Sequence, residues 1–408
     1  MTEQMKVPKL RFGEFTAGHI DTTLEALTKK KISYGIVQAG PHIPDGMPYI
    51  KSTNLNTELC LDNLERTSDE IAKSYQRSEV SPEDIVFSLR GNIGLTRIVP
   101  ASIPVANLTQ GTARLSIKDS FSNVYVNYCL STRKVYKRVN SVSKGSTFKE
   151  ISLADLRNVK ITHSSDLEEQ QKIASFLSKV DEKIGLLSEK KNKLTEYKRG
   201  VMQQLFNGKW HEQGGQLTFV PPTLRFKADD GSEFPDWEEK KLGEVCEFRD
   251  SQRLPLSSEE RQQRQGQYRY FGASGVIDYV DDFLFDGDFV LLGEDGANII
   301  TRSTPLAFVV KGKFWVNNHA HVLKALGSTY FLAQSLELLN YEKYNSGTAQ
   351  PKLNAAICKK IELIMPCDAE QTKIANFLSA IDQKIDLTNS ELNKAKEWKK
   401  GLLQQMFV

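Results

Sequence analysis

EQQKIASFLSKVDEKIGLLSEKKNKLTEYKRGVMQQLF, residues 169–206, is written again 201 positions later as EQTKIANFLSAIDQKIDLTNSELNKAKEWKKGLLQQMF, residues 370–407, without a gap. A repeat of this length dictates architecture and has to be read before any motif. Working outward from it, GSTFKEISLADLRNVKI (145–161) echoes GTAQPKLNAAICKKIEL (347–363), and Leu10-Arg11-Phe12 is matched by Leu224-Arg225-Phe226. The chain is therefore two halves, each with its own front of about 130 to 150 residues and a near-duplicate tail.

Within the first tail, apolar residues fall at Ile173, Leu177, Val180, Ile184, Leu187, Leu194, Val201 and Leu205, steps of four and three with Lys191 and Lys198 filling two slots. That is a heptad seam. The second tail carries Ile374, Leu378, Ile381, Ile385, Leu392, Ala395, Leu402 and Met406 in the same phase. Neither tail contains proline, and both are rich in strong helix formers, so each predicts one helix of about 40 residues, roughly 60 Å long. A stripe of that length needs a partner, and the other copy supplies it. Connectivity favours antiparallel pairing, because the first helix must run out to the second front and the second must return from it. The fold class expected is two α/β (α+β) domains separated by an antiparallel two-helix coiled coil, with an internal pseudo-twofold. Long helices merely buried in a core are the plainer reading, and a repeat of the whole pattern argues against it. Gly200 and Gly401 recur inside the helices at a cost of about 1 kcal/mol each relative to alanine. They suggest close approach of another backbone or, nearly as well, a helix irregularity.

The fronts alternate β-like runs with Gly, Pro and Asn turns. Strands are expected at 33–37, 85–89, 112–117, 288–292, 306–310 and 314–316, and helices at 123–132 and 330–339. The implied domains are 1–165, 233–367 and the spacer helices 166–206 and 368–408, with 207–232 as a linker or loosely docked strand.

With 408 residues the chain is long enough for two or three domains. Its 39% hydrophobic and 26% charged residues are those of a globular protein, and no apolar run approaches the ~20 residues of a membrane span. Met1 to Leu10 lacks the apolar segment of a signal peptide. Five cysteines, odd in number and scattered without a C-x-x-C pair, suggest neither zinc nor a redox couple, so a reducing cytoplasm is expected. A net charge of +3 decides little, since phosphate contacts need a local basic surface rather than a basic total.

The phrases FSLRGNIG (87–94), TARL (112–115) and GSTFKEIS (145–152), then LLGEDGANI (291–299), NNHAHVL (317–323) and SGTAQPKL (346–353), resemble the target-recognition domains of type I restriction-modification specificity subunits. The paired tails resemble that family's two spacer regions, so the likeness covers essentially the whole chain. It implies that each front reads one half of a bipartite site on double-stranded DNA and that the coiled coil sets the gap. The partners implied are two methyltransferase subunits and motor-nuclease subunits, with no membrane and no cofactor. The chain itself is expected to be non-catalytic.

Side-chain chemistry narrows the DNA contacts to polar and basic loop residues: Arg and Lys for guanine edges, Asn and Gln for adenine, all of them also for phosphate. In the first front these are Ser33, Tyr34, Lys51, Arg90, Asn92, Lys144, Thr147 and Lys149. In the second they are Tyr268, Arg269, Tyr270, Ser274, Asn298, Arg302, Asn317, Asn318, Gln350 and Lys352. Each is equally readable as a solvated surface group; only the loops GSTFK and GTAQPK gain support from standing before the spacer in both halves.

Other motifs carry less. His319 and His321 form an H-x-H without a third ligand at matching spacing, where zinc needs three or four. Asp278, Asp281, Asp282, Asp286 and Asp288 do not fit an EF-hand loop and read as turn residues. No Walker loop, G-x-G-x-x-G or nucleophile elbow occurs, and Val220-Pro221-Pro222 is not the Asn/Asp-Pro-Pro-aromatic signature of an amino-methyltransferase. Two alternatives from other classes remain: a single-chain DNA-binding nuclease, signalled only weakly by Asp236 beside Glu238 and Lys240, and a coiled-coil scaffold that binds no DNA.

Overall fold

The computed structural model describes residues 6–145, 149–213, 216–347 and 350–408. The two repeats are continuous helices, Leu167–Leu205 and Asp368–Met406, 39 residues each. Compact packing divides the chain into residues 1–188 with 390–408, and residues 189–389. Each unit thus combines a front with a segment of both long helices.

In the first unit a β-strand, Ile20–Thr23, pairs antiparallel with Lys160–His163 and closes the front just before its long helix begins. Three-stranded sheets are built on Met47–Ile50 and on Ile85–Ser88. The latter strand is buried throughout, its one polar residue Ser88 included, because both of its faces are covered. Successive side chains alternate; Ile85 and Phe87 enter a core with Leu115, Tyr125, Leu177 and Leu402, while Val86 enters a second core with Ile50, Val80 and Leu108.

The second unit repeats the plan with larger sheets. Glu238–Lys241 pairs antiparallel with Glu362–Met365, and the all-apolar strand Phe289–Gly293 again divides two cores. Val290 and Leu292 pack with Phe331, Leu353 and Leu378; Phe289 and Leu291 pack with Phe271, Phe314 and Val322. Its four-stranded sheets are ordered 246–248, 320–325, 289–293, 307–310 and 275–280, 265–272, 313–316, 285–286.

The expected helices are present as Asn123–Ser131 and Thr329–Glu337, capped by Ser122 and Ser328, whose hydroxyls accept the N–H three residues on. Two expectations differ. Residues 33–37 form only isolated bridges, Tyr34 to Ala113 and Ile36 to Thr109, because Gly35 lies against the Leu108 carbonyl, where any side chain would collide. Residues 207–232 are not a plain linker: Lys209–Gln213 and Gln216–Val220 pair as a hairpin.

Every seam position is buried or half-buried, Lys191 and Lys198 included. Lys198 pairs with Asp382 at 2.7 Å and Lys191 donates to Asn389 Oδ1 at 2.8 Å. Seven residues back on the first helix is seven forward on the second, so the pairing is antiparallel. In the other unit the repeat-equivalent residues reproduce the first of these contacts: Lys399 meets Asp181 at 2.5 Å. Thr388 fills the seam slot between Ile385 and Leu392 and is 2% exposed, its hydroxyl donating to the Lys384 carbonyl. Gly200 and Gly401 have no heavy atom within 4 Å of a built Cβ, so among the described residues the expected close backbone approach does not occur.

Candidate nucleic-acid interface

The duplicated EQ that opens each tail anchors each front. Glu169 is fully buried and takes a bidentate pair from Arg11, Nε at 2.6 Å and Nη2 at 2.8 Å; Glu370 takes the same pair from Arg225 at 3.1 and 2.7 Å. Hydrogen bonding to the carboxylate outweighs burial and raises both guanidinium pKa values. Gln170 accepts the Ser122 N–H and Gln371 accepts the Ser328 N–H, so a buried amide seats the start of the capped front helix on each long helix. These four tail residues were visible in the sequence only as repetition. What marks them is that polar residues recur beside the seam where a solvated surface would drift.

From that frame the central strand of each front delivers a loop. In the first, Arg90 follows Ile85–Ser88, its backbone bridges Glu150 and its guanidinium lies 3.3 Å from the Glu150 carboxylate. Glycine is required on either side of the tip, Gly91 at φ +73° and Gly94 at +84°. Asn92 between them is exposed and donates to Asn56 Oδ1 at 2.5 Å. Lys144 pairs through its backbone with Glu150, and Lys149 is exposed beside it. A Cβ on Gly111 would lie 3.3 Å from Arg90 Cγ and 3.6 Å from Ser52 Oγ, which brings the Lys51 turn to the same place. Lys51 itself is held by Glu65 at 2.5 Å, and this contact, with a hydrogen bond from Tyr49, keeps the Glu65 carboxyl below its ordinary pKa.

Lys51, Arg90, Asn92, Lys144 and Lys149 are thus gathered. Ser33 stands apart, its hydroxyl spent on the Arg77 carbonyl, and Tyr34 packs against the core. Thr147 lies outside the described residues.

In the second front Asp295 bridges Lys352 just as Arg90 bridges Glu150, with Gly296 at φ +106° in the place of Gly91. The charges are exchanged: Lys352 lies 3.5 Å from Glu294. Exposed Gln350 stands two residues before Lys352 in the chain, and exposed Asn318 precedes His319, whose carbonyl accepts the Glu294 N–H at 2.9 Å. Ser274 tops the hairpin turn whose Ala273 carbonyl would come 3.1 Å from a Cβ on Gly293.

Two other members of the expected set are internal and four are half-exposed with contacts of their own. Tyr270 is 1% exposed and its hydroxyl accepts the Leu256 N–H, so it is a core residue. Asn317 is buried, accepting the His319 N–H. Arg302 is tied to Glu337 at 2.8 Å, and Asn298 closes its own turn by bonding Thr304. Arg269 is exposed enough to reach outward but donates to the Lys311 carbonyl, and Tyr268 packs against Phe283 with tilted rings 5.2 Å apart. Tyr270 and Asn317 failed as surface expectations because a sequence does not show which polar residues fold inward.

The H-x-H also divides. His319 is half exposed and meets Asp295 at 2.8 Å, whereas His321 is buried between Asp250 Oδ2 at 2.7 Å and the Leu353 carbonyl at 2.9 Å. Both partners of His321 only accept, so both ring nitrogens must carry protons. Among the described residues no group of three or more His, Cys, Asp or Glu is arranged to hold a metal ion. No described helix is long and apolar enough to cross a membrane.

Comparison with known proteins bears on this frame. Residues 23–196 and 235–397 match a family model described as a type I restriction modification DNA specificity domain. A Haemophilus influenzae protein named as a type I restriction enzyme specificity subunit is 34% identical over 161 residues, 39% of this chain and 40% of that protein. The Escherichia coli EcoBI specificity subunit is 28% identical over 44% of this chain and 39% of its own length. This chain therefore spans about two fifths of these two curated relatives. A crystal structure of a type I restriction-modification S subunit from M. genitalium superposes with a TM-score of 0.66 at 18% identity, covering 98% of this chain and 99% of that one, a likeness of fold.

Proposed function

The chain belongs to the family of type I restriction-modification DNA specificity proteins, and from that membership we propose that it reads two half-sites on double-stranded DNA, one with each front, and performs no bond chemistry itself. Methylation falls to two methyltransferase subunits and cleavage to motor-nuclease subunits. The long helices dock the former and fix the gap between the half-sites.

The observation that carries this reading is a frame repeated with its tips changed. Arg–Glu anchors, seating glutamines and seam ion pairs recur in both halves. At the loop after each central strand, Arg90 with Glu150 is answered by Glu294 with Lys352. A duplicated catalyst would keep its reacting groups; a duplicated reader must vary the donors and acceptors it offers to base edges. The two words should therefore differ.

The test is to co-express the chain with its methyltransferase subunits in an unmodified host and sequence the modified bases. One asymmetric target of two short words with a fixed gap is expected, and the purified chain alone should neither methylate nor cut. A single uninterrupted word, or turnover by the chain alone, would overturn the reading.

A further inference from the structure

The first unit contains a groove of about 1700 Å³ between the front and the C-terminal end of the second long helix. One wall is the helix Arg133–Val142, whose sequence RKVYKRVNSV holds four cations and no acid, and which buries only Val135 and Val139. Arg133, Lys134 and Lys137 line the groove from this side, and Lys396, Lys399 and Lys400 line it from the other. Lys399 is engaged with Asp181, and Lys400 lies 3.4 Å from Glu397. Arg133, Lys134, Lys137 and Lys396 make no ion pair with any described residue, and all four are exposed. Among the described residues, Asp181 carries the single side-chain carboxylate in the lining.

Like charges four apart on a helix destabilise it, and Arg133 with Lys137, Lys134 with Arg138 and Lys396 with Lys400 all stand at that spacing. The chain nonetheless concentrates them on facing walls while its net charge is only +3. The volume exceeds the ~300–1000 Å³ of small-molecule pockets. Asn92 and Lys149, both placed at the reading loops, line the same groove.

We propose that this groove receives the sugar–phosphate backbone of duplex DNA where it runs on from the half-site read by the first front. The inference rests on the reading proposed above and extends it, because these contacts are sequence-independent. They hold the duplex in register while the loops at Arg90 and Asn92 face base edges. Rows of unpaired ammonium and guanidinium groups match a polyanion at regular spacing better than the mixed charge of a protein surface.

The test is the salt dependence of binding by the full chain to a mixed-sequence duplex of several helical turns, comparing wild type with Arg133→Gln/Lys137→Gln/Lys396→Gln. All three positions are exposed, and an unchanged thermal melt confirms folding. Lys384→Gln, exposed on the second long helix outside the groove, is the control. Each lost phosphate contact lowers the slope of log K against log salt by about 0.9, so the triple variant should lose about two to three units of slope. In the presence of methyltransferase subunits its modified word should be unchanged.

If wild type binds and the triple variant keeps its affinity and slope, this inference is wrong and the reading of two half-sites stands. A variant that keeps the slope but no longer co-purifies with methyltransferase subunits makes the groove a protein interface, which also overturns it. Failure of the wild type to bind any duplex, with or without those subunits, defeats the underlying reading instead.

Discussion

Glu370 accepts three hydrogen bonds in a site closed to solvent, two from Arg225 and one at 3.1 Å from the Trp237 indole. Removing one partner of a buried ion pair strands the other charge and costs about 3–5 kcal/mol. Arg225→Ala should therefore lower unfolding stability by roughly 3 kcal/mol in denaturant melts, and adding Glu370→Ala should cost less than the sum of the single changes. Additive losses would show that the two residues act independently. Glu169 is built alike, with His19 Nε2 at 3.8 Å where the second copy has its indole. Burial holds the His19 pKa down, so it stands there neutral.

His321 is the opposite case. Burial alone would depress it, but the bond to Asp250 and contacts with Cys358 prevail and raise it to about 10. A folded pKa above the unfolded value of about 6.5 stabilises fully below that value, and the contribution is lost as pH rises toward 10. Asp250, held low by His321 despite burial, contributes above the ordinary carboxylate range and loses its effect in acid. The imidazole carbons of His321 should keep imidazolium shifts in NMR spectra at pH 8; titration near 6.5 would contradict the assignment. None of this was legible in H-x-H, because the spacing is silent about Asp250, which lies 71 residues away.

The long helices were the most legible elements: their seam, length and antiparallel sense follow from spacing and connectivity. Less legible were the polar slots. Lys191 and Lys198 look like flaws in an apolar stripe until Asn389 and Asp382 are placed opposite them, and pairing them requires the register of the partner helix. The recurring glycines invited a packing explanation that the open space around them does not support. Alanine should be tolerated at both sites, and Gly200→Ala and Gly401→Ala should each stabilise the free chain by up to about 1 kcal/mol. Destabilisation by either would mean that the helix needs glycine there for its backbone conformation.

At the scale of the molecule, the sequence showed two halves but placed the domain limits along the chain, whereas compact packing assigns residues 390–408 to the first unit and 189–205 to the second. The N–H of Leu10 bonds the Gln405 carbonyl, and that of Leu224 bonds Gln204, so the matched Leu-Arg-Phe segments finish equivalent helix ends. Which helix end serves which front is a fact of three dimensions that repetition alone leaves open. The same holds for the basic groove: RKVYKR was readable as a charge run, but its facing lysines lie some 260 residues further on.

On the proposed reading, each front reads one word independently on a shared frame. The direct measurement is to replace residues 13–150 with the corresponding front of another family member, keep both long helices, and sequence the bases modified by the assembled methyltransferase. One word should change to the donor's while the other word and the gap stay as they were. Change in both words at once would contradict the claim.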